Sequence, residues 1–383
     1  MNLTRRTTLL GLGAFGLAAC GGTGGALGPR SNAASGGLPA DLRPIPNAAY
    51  DRWVAAFRSR AAAQGISNAT LDAGFRGAGF LPGVVKRDRN QTEFSRTLED
   101  YLAIAASDER VSKGRAAFAR HRSTLAAVEA RYGVAAEVVT AVWGLESFYG
   151  ERRGNVPVVS ATSTLAFDGR RGAFFEKQLI AALKILQSGD ISASGLKGSW
   201  AGAMGHTQFI PTSYQAFAVD FNGDGRRDIW SDDPADSLAS TAAYLSRNGW
   251  TRGRKWGGEV GNGAPQGRTI QPQPGGPRFS VTSNFNVIKR YNNSDSYAIG
   301  VGHLSDRIAG GGPIRASFPP DKYGLTKDDR VRLQERLTAR GFDTGGTDGV
   351  VGPNSRAAIS AYQSSIGQSP TGDPSQALLR SLG

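Results

Sequence analysis

Three stretches carry residues whose types and spacing suit chemistry. The first is VVTAVWGLESFYG, residues 138–150, where one carboxylate, Glu146, sits in an otherwise apolar run. Val138, Val139, Val142 and Leu145 recur at the three- and four-residue steps of a helix face, which places the Glu146 carboxyl beside a buried stripe. Desolvation disfavours the ionised form, so such a glutamate keeps its proton near neutral pH and can donate it to a leaving oxygen. The competing reading is a glutamate at the rim of a core helix, paired with Arg152 or Arg153. The second stretch is Asp220-Phe221-Asn222-Gly223-Asp224-Gly225-Arg226-Arg227-Asp228. It fits the calcium-loop pattern, with oxygen ligands from Asp220, Asn222 and Asp224, a turn glycine at Gly225 and a backbone carbonyl from Arg226. Its twelfth position is Ser231 rather than glutamate, so the closing ligand falls to Asp232, Asp233 or Asp236; an ion-free, Asx-rich turn is the alternative. The third stretch, SWAGAMGHTQFIPTSY at 199–214, is too glycine-rich to begin as a helix and too aromatic for a plain linker. Loops of that kind line sites.

Helices must position these residues. Tyr50, Trp53, Val54 and Phe57 share one face, residues 91–107 and 111–131 read as two longer helices, and Tyr132-Gly133 closes the second before the Glu146 helix. Phe174, Phe175, Leu179, Ala182, Leu183 and Leu186 mark a further buried face within 157–188, and 237–249 forms a helix ending at Asn248-Gly249. The Gly-, Pro- and Gln-rich segment from Trp256 to about Pro277 reads as a surface excursion. Phe279 to Ile288 alternates as strands do, and a helix follows from about Ser296 to Ile308.

The chain has 383 residues, 39% of them hydrophobic, and a formal charge of +13. That size suggests two or three domains with real cores, and the charge suits a polyanionic partner. Residues 1–20, MNLTRRTTLLGLGAFGLAAC, show a basic start, an apolar run too short for a bilayer span and then small residues, the pattern of an export signal. Leu17-Ala18-Ala19-Cys20 resembles a bacterial lipobox, and Cys20 is the only cysteine in the chain. Export and lipidation at Cys20 argue against a nucleic-acid partner. Gly21 to about Pro39 is a flexible tether.

Glu146-Ser147, then SWAGAMGHTQFIPTSY, then VDFNGDGRRDIW, resemble the membrane-bound lytic murein transglycosylases of the B type, from about Trp53 to Ile308. The resemblance implies a mainly α (α+β), lysozyme-like catalytic domain with small β elements. It implies that Glu146 cleaves the glycan strand of peptidoglycan, with Ser199 and Gln208 in the active site and Tyr101, Tyr244, Tyr291 and Asn292 along the substrate groove. It also implies that Asp236 closes the metal loop. Where that family commonly has a tyrosine in the glycine loop this chain has His206, either a substrate contact or a hydrogen-bonded loop histidine.

Most glycosidases use two carboxylates. No second one stands in a comparable setting, since Asp168 and Glu151 read as solvated. The resemblance supplies a mechanism with one acid, in which Glu146 protonates the glycosidic oxygen between N-acetylmuramic acid and N-acetylglucosamine and then takes the proton of the muramoyl C6 hydroxyl, giving a 1,6-anhydro end. No cofactor is needed for the reaction, and Ca²⁺ would be structural. A hydrolytic muramidase and an inactive wall-binding scaffold are the rival readings.

Leu325, Val331, Leu333, Leu337, Gly341-Phe342, Ala357, Ala358, Ile359 and Tyr362-Gln363, around the turn Thr347-Asp348-Gly349-Val350-Val351-Gly352, resemble a type-1 peptidoglycan-binding module of three helices. The expected order is a signal at 1–19, a lipidated cysteine and tether at 20–40, a catalytic domain at 41–309, a linker at 310–322 and the binding module at 323–383. The protein would face the periplasm, anchored by lipid, with the outer membrane favoured.

Overall fold

The computed structural model describes residues 37–90 and 96–383. The export signal, Cys20 and most of the tether lie outside the described residues. Numbered along the chain, the helices are α1 (Ala48–Ala62), α2 (Asn68–Phe75), α3 (Pro82–Arg89), α4 (Leu98–Ala105), α5 (Asp108–Arg120), α6 (Arg122–Tyr132), α7 (Ala136–Ser147), α8 (Val158–Asp168), α9 (Gly172–Ser188), α10 (Pro211–Phe217), α11 (Ala235–Arg247), α12 (Ser283–Tyr291), α13 (Asp295–Ile308), α14 (Lys327–Ala339), α15 (Pro353–Ser365) and α16 (Gln376–Ser381). The strands are β1 (Val156–Pro157), β2 (Lys197–Gly198), β3 (Gly257–Glu259), β4 (Arg268–Ile270) and β5 (Phe279–Val281). The fold is mainly helical with two small antiparallel sheets, β1-β2 and β3-β5-β4. No described helix is long and apolar enough to cross a membrane.

The chain forms two compact units, one from the described parts of Ser31–Phe94 and Ser112–Gly253, the other from those of Ser95–Val111 and Arg254–Gly383. These divisions differ from the sequence boundaries at 40 and 310, because the C-terminal helices share a unit with 254–309.

In the first unit α8 and α9 pack as a pair against α1, α2, α3 and α10, and α7 packs on α6 and α11. α7 is buried on nearly every side, with Val139, Ala141 and Val142 fully inside; a helix apolar all round belongs in a core. An aromatic cluster secures α1 to this core: Trp53 and Phe57 stack 5.3 Å apart, Tyr50 meets Phe167 edge-on, and the Tyr50 hydroxyl lies 2.7 Å from Ser163 Oγ. Each fully buried side chain of this size contributes about 1.5–3 kcal/mol.

In the second unit α12 and α13 pack together, α13 also meets α4 and β3, and α14 packs on α15 and α16. Leu325, Leu333, Leu337, Ile359, Tyr362, Leu378, Leu379 and Leu382 form the small core of the last three helices, whereas Ala357 is exposed. Gln334 links this module internally: Gly349 N donates to its Oε1 (2.8 Å), and its Nε2 donates to Val350 O and Ser355 Oγ, both 3.1 Å.

Several expected elements differ. The helix expected over 111–131 breaks at His121 (φ −105°, ψ 24°), whose ring sits edge-on to Trp143 at 5.6 Å. Of the helix expected over 91–107, residues 91–95 lie outside the described residues, and α4 begins at Leu98, where the Thr97 side chain caps it by accepting from Asp100 N. The strand expected over 279–288 stops at Val281, where Thr282 caps α12. The surface excursion contributes β3 and β4, three-residue strands too short to show alternation.

Candidate functional site

Glu146 occupies the last turn of α7, half-buried, between buried Trp143 and buried Ser147. The helix ends directly after it. Phe148 and Tyr149 adopt φ of 53° and 59°, and Gln208 has φ of 50°; among the described residues these are the positive-φ positions not held by glycine. Left-handed backbone at bulky residues is strained and marks functional turns. All three strained positions belong to this end of α7 or to the glycine loop.

His206 joins those two segments. The Trp143 indole N–H donates to His206 Nδ1 at 2.9 Å, so Nε2 carries the imidazole proton and donates to Ser231 O at 2.7 Å. Burial holds the imidazole below its usual pKa, keeping it neutral. On the other side Ser147 Oγ donates to His206 O at 2.8 Å. His206 N also donates to Ile229 O at 2.9 Å. Gly150, at φ 90°, lies flat against this ring, where an added Cβ would come within 2.4 Å of the imidazole. His206 is only 4% exposed and is therefore the hydrogen-bonded loop histidine of the two readings, with no face for a sugar.

The loop so pinned carries the two expected polar contacts. Ser199 Oγ accepts from Ala203 N (3.1 Å) and Ala201 N (3.4 Å), which leaves its O–H to donate outward. Gln208 Nε2 donates to Gly205 O (2.8 Å) and Arg153 O (3.1 Å), so what it offers a ligand is the amide oxygen. Tyr244 is half-buried on α11, edge-on to Phe217 at 4.6 Å. Tyr101, Tyr291 and Asn292 belong to the other compact unit. There Tyr101 is half-buried on α4, Tyr291 stacks on Tyr297 at 6.5 Å, and the Asn292 side-chain oxygen is buried without a protein partner.

Neither arginine considered for Glu146 pairs with it. Arg153 donates to Trp230 O (2.7 Å), Ser231 O (2.9 Å) and Asp232 (2.8 Å), and the Arg152 guanidinium lies over the Phe148 ring at 4.4 Å. Two further carboxylates considered in the sequence form ion pairs. Glu151 pairs with Lys113 at 2.8 Å. Asp168 is not solvated as expected: its side chain is 8% exposed and pairs with Arg89 at 2.5 Å, where α8 packs on α3.

The acidic loop forms a cluster. Oxygens of Asp220, Asp224 and Asp236 lie within 4.8 Å of one another. Asp236, only 2% exposed, accepts from Phe221 N (2.8 Å), Asn222 N (3.3 Å) and Asp228 N (2.8 Å). Burial raises its carboxyl pKa, with the Asp220 charge adding to the effect. Of the three candidates for closing the loop, Asp236 joins the cluster; Asp232 is taken by Arg153 and Asp233 caps Ala235 N. Asn222 Oδ1 accepts from Asp224 N, and the loop is anchored from inside by Arg227, which pairs with Asp190 at 2.6 Å. A cluster of hard oxygen ligands gathered around the one buried carboxylate, Asp236, fits a divalent ion such as Ca²⁺.

A cavity of about 400 Å³ lies within the other unit, lined by Trp256, Glu259, Phe279, His303, Asp306 and residues 311–314. Burial pushes His303 down to about 4 and Asp306 up to about 6. Trp256 Nε1 donates to Asp306 Oδ2 at 3.1 Å.

Residues 49–266 and 264–306 match the transglycosylase SLT domain, and residues 326–382 match a putative peptidoglycan binding domain. Membrane-bound lytic murein transglycosylase B of Escherichia coli (strain K12) is 32% identical over 211 residues, which are 46% of this chain and 58% of that protein. The chain thus spans 58% of that curated relative's length. SltB3 from Pseudomonas aeruginosa, solved in complex with NAG-anhNAM-pentapeptide and with NAG-NAM-pentapeptide, is 43% identical, with a TM-score of 0.69 over 88% of this chain and all of that one. Slt35 of Escherichia coli, solved in complex with calcium, is 26% identical, with a TM-score of 0.58 over 69% of this chain and 93% of that one. With its family match, its mainly helical fold and its C-terminal module, this chain belongs to the SLT-domain transglycosylases.

Proposed function

We propose that this chain is a lytic transglycosylase that cuts the β-1,4 bond between N-acetylmuramic acid and N-acetylglucosamine in peptidoglycan. The observation that carries the reading is Glu146 on the last turn of α7, where Trp143 and Ser147 on either side of it tie that turn to the glycine loop through His206. Glu146 gives its proton to the glycosidic oxygen as the bond to C1 breaks. The resulting carboxylate takes the proton of the muramoyl C6 hydroxyl, whose oxygen closes on C1. Glu146 ends protonated, and no water is consumed. Ser199 donates and Gln208 accepts, a pair able to hold the N-acetyl group or ring hydroxyls, while Tyr101, Tyr244, Tyr291 and Asn292 bind the strand. Similarity to SltB3, solved with an anhydro-muramoyl ligand, supports the cyclised product.

Mass spectrometry of digested peptidoglycan tests this reading. Transglycosylation leaves ends one water lighter than reducing ends, so fragments bearing only reducing ends would replace it with hydrolysis.

The acidic loop holds Ca²⁺ through Asp220, Asn222, Asp224, the Arg226 carbonyl and Asp236, and the ion is structural, ordering the approach to α11. Residues 1–19 are an export signal, and Cys20 carries lipid that anchors the enzyme facing the periplasm, with the outer membrane favoured by the absence of aspartate after Cys20. Cys20→Ser should move the protein from the membrane fraction to the soluble one. The peptidoglycan-binding module at 326–382 retains the chain on its polymer.

A further inference from the structure

Arg330 is a buried arginine in a helix that otherwise presents charge to solvent. Its side chain is 4% exposed, and its guanidinium reaches two regions at once. Within the C-terminal module Nε donates to Gly349 O at 2.7 Å, in the Asp348-Gly349 turn, and at its start Nη1 donates to Leu325 O at 3.1 Å and to Asp321 of the preceding linker at 3.4 Å. Outside the module Nη2 donates to Glu99 Oε2 at 2.6 Å and Asp100 Oδ1 at 3.2 Å. Glu99 and Asp100 form the first turn of α4, and Tyr101 is the next residue.

The chain between α13 and the module reinforces this attachment. Residues 310–322 read as a free linker in the sequence, yet Glu259 accepts from Arg315 N (2.9 Å) and Ala316 N (2.6 Å), and Gly311 N donates to Asp306 O at 2.7 Å. A planar guanidinium with its donors divided between two segments fixes both distance and angle, which an ammonium on a flexible stem does not. Buried and fully engaged, it leaves neither segment free to turn alone.

We propose that Arg330 is a positioning residue, a latch that docks the peptidoglycan-binding module on α4 and so holds Tyr101 in its binding orientation. The kinetic part of this inference rests on the reading of Tyr101 as a glycan contact. On this basis the module serves the groove directly, besides retaining the polymer.

The test uses the full chain and the double variant Glu99→Gln/Asp100→Asn, which weakens the latch from the α4 side and leaves Arg330 bonded to Gly349 and Leu325. Hydrogen exchange within 98–105 should accelerate about ten-fold or more while 327–365 stays protected. Unchanged exchange within 98–105 overturns the latch, and so does a joint collapse of both segments, which would show one folding unit. The KM for glycan strands should rise several-fold with kcat little changed, a split that a purely structural role would not produce. The same rise should vanish when the double variant is placed on Tyr101→Ala; an additive rise overturns the coupling. Arg330→Lys, which keeps the charge and loses the fork, should reproduce the exchange result, and a wild-type exchange pattern in it overturns the latch. An unchanged KM in Tyr101→Ala alone would sink the groove reading instead, and the exchange measurement separates the two failures.

Discussion

The indole of Trp143, three residues before the proposed acid, and the imidazole of His206, 63 residues further along the chain, are hydrogen-bonded at 2.9 Å. That bond, with the Ser147 hydroxyl on the carbonyl of the same histidine, ties the last turn of α7 to the loop bearing Ser199 and Gln208.

His206→Ala removes the acceptor of a buried indole N–H and opens space beside Gly150. An unsatisfied buried donor costs about 1–3 kcal/mol, so urea unfolding should show a loss of at least that size. Turnover should fall as well, since the loop and the Glu146 turn lose their common support. A variant with wild-type stability would refute the pinning role.

Glu146→Gln keeps the shape of the side chain and removes its proton chemistry. Acid and base catalysis contributes about 10²–10⁴-fold for a single positioned group, and here one group serves both steps, so cleavage should fall by about 10³-fold or more. Co-sedimentation with insoluble peptidoglycan should persist, because the binding module is untouched. Glycan release at the normal rate would end the assignment of Glu146.

Gly150→Ala places a methyl group against the His206 ring at a backbone φ that L-residues rarely adopt. Thermal unfolding should occur several degrees lower, equivalent to about 2 kcal/mol or more. A melting temperature equal to that of the parent would show that the turn can relax.

His303 and Asp306 give opposite pH dependences. Asp306, raised by burial to about 6, contributes stability that is complete below its ordinary 3.8 and is lost as pH rises through about 6. His303, lowered by burial to about 4, contributes stability that is complete above 6.5 and is lost as pH falls through about 4. Each is on the order of 3 kcal/mol at most, and between pH 4 and 6.5 they offset one another, with Arg307, Lys255 and Glu259 as the neighbouring charges. Asp306→Asn should therefore lose stability more steeply than the parent on acidification through this window, and His303→Gln should gain. Denaturation curves at pH 4, 5, 6 and 7 check the pair; parallel profiles for all three proteins would refute the assignment.

Calcium added to metal-free protein should raise the melting temperature of the parent chain. Saturation at one hundred times Kd stabilises by about 2.7 kcal/mol. Asp236→Asn, which removes the buried member of the carboxylate cluster, should abolish that response, whereas Asp232→Asn should keep it. Equal responses in both variants would place the ion elsewhere.

Much of this was legible in the sequence because it is periodic or local. The α7 stripe, the glycine loop and the acidic loop each announce themselves within a few turns of chain, and the three-helix module within its own span, 326–382. The sequence does not disclose contacts between distant segments. Arg330 reads as one more charge on a charged helix until Glu99, 231 residues away, is seen beside it. His206 reads equally as ligand or scaffold until Trp143 is found on its Nδ1. Three-residue strands such as β3 and β4 fall below the length at which alternation can register. The turns at Phe148 and Tyr149 are invisible for a different reason: neither residue type favours that backbone, so tertiary packing imposes it.

Those turns bear on any effort to make the enzyme sturdier. A screen for heat resistance would be drawn to 148, 149 and 208, where glycine or asparagine relieves a left-handed backbone that Phe, Tyr and Gln adopt unwillingly. Gains there would loosen the frame around Glu146 and trade turnover for robustness. Engineering is better directed to exposed helix surfaces such as those of α1, where a tougher protein need not be a slower one.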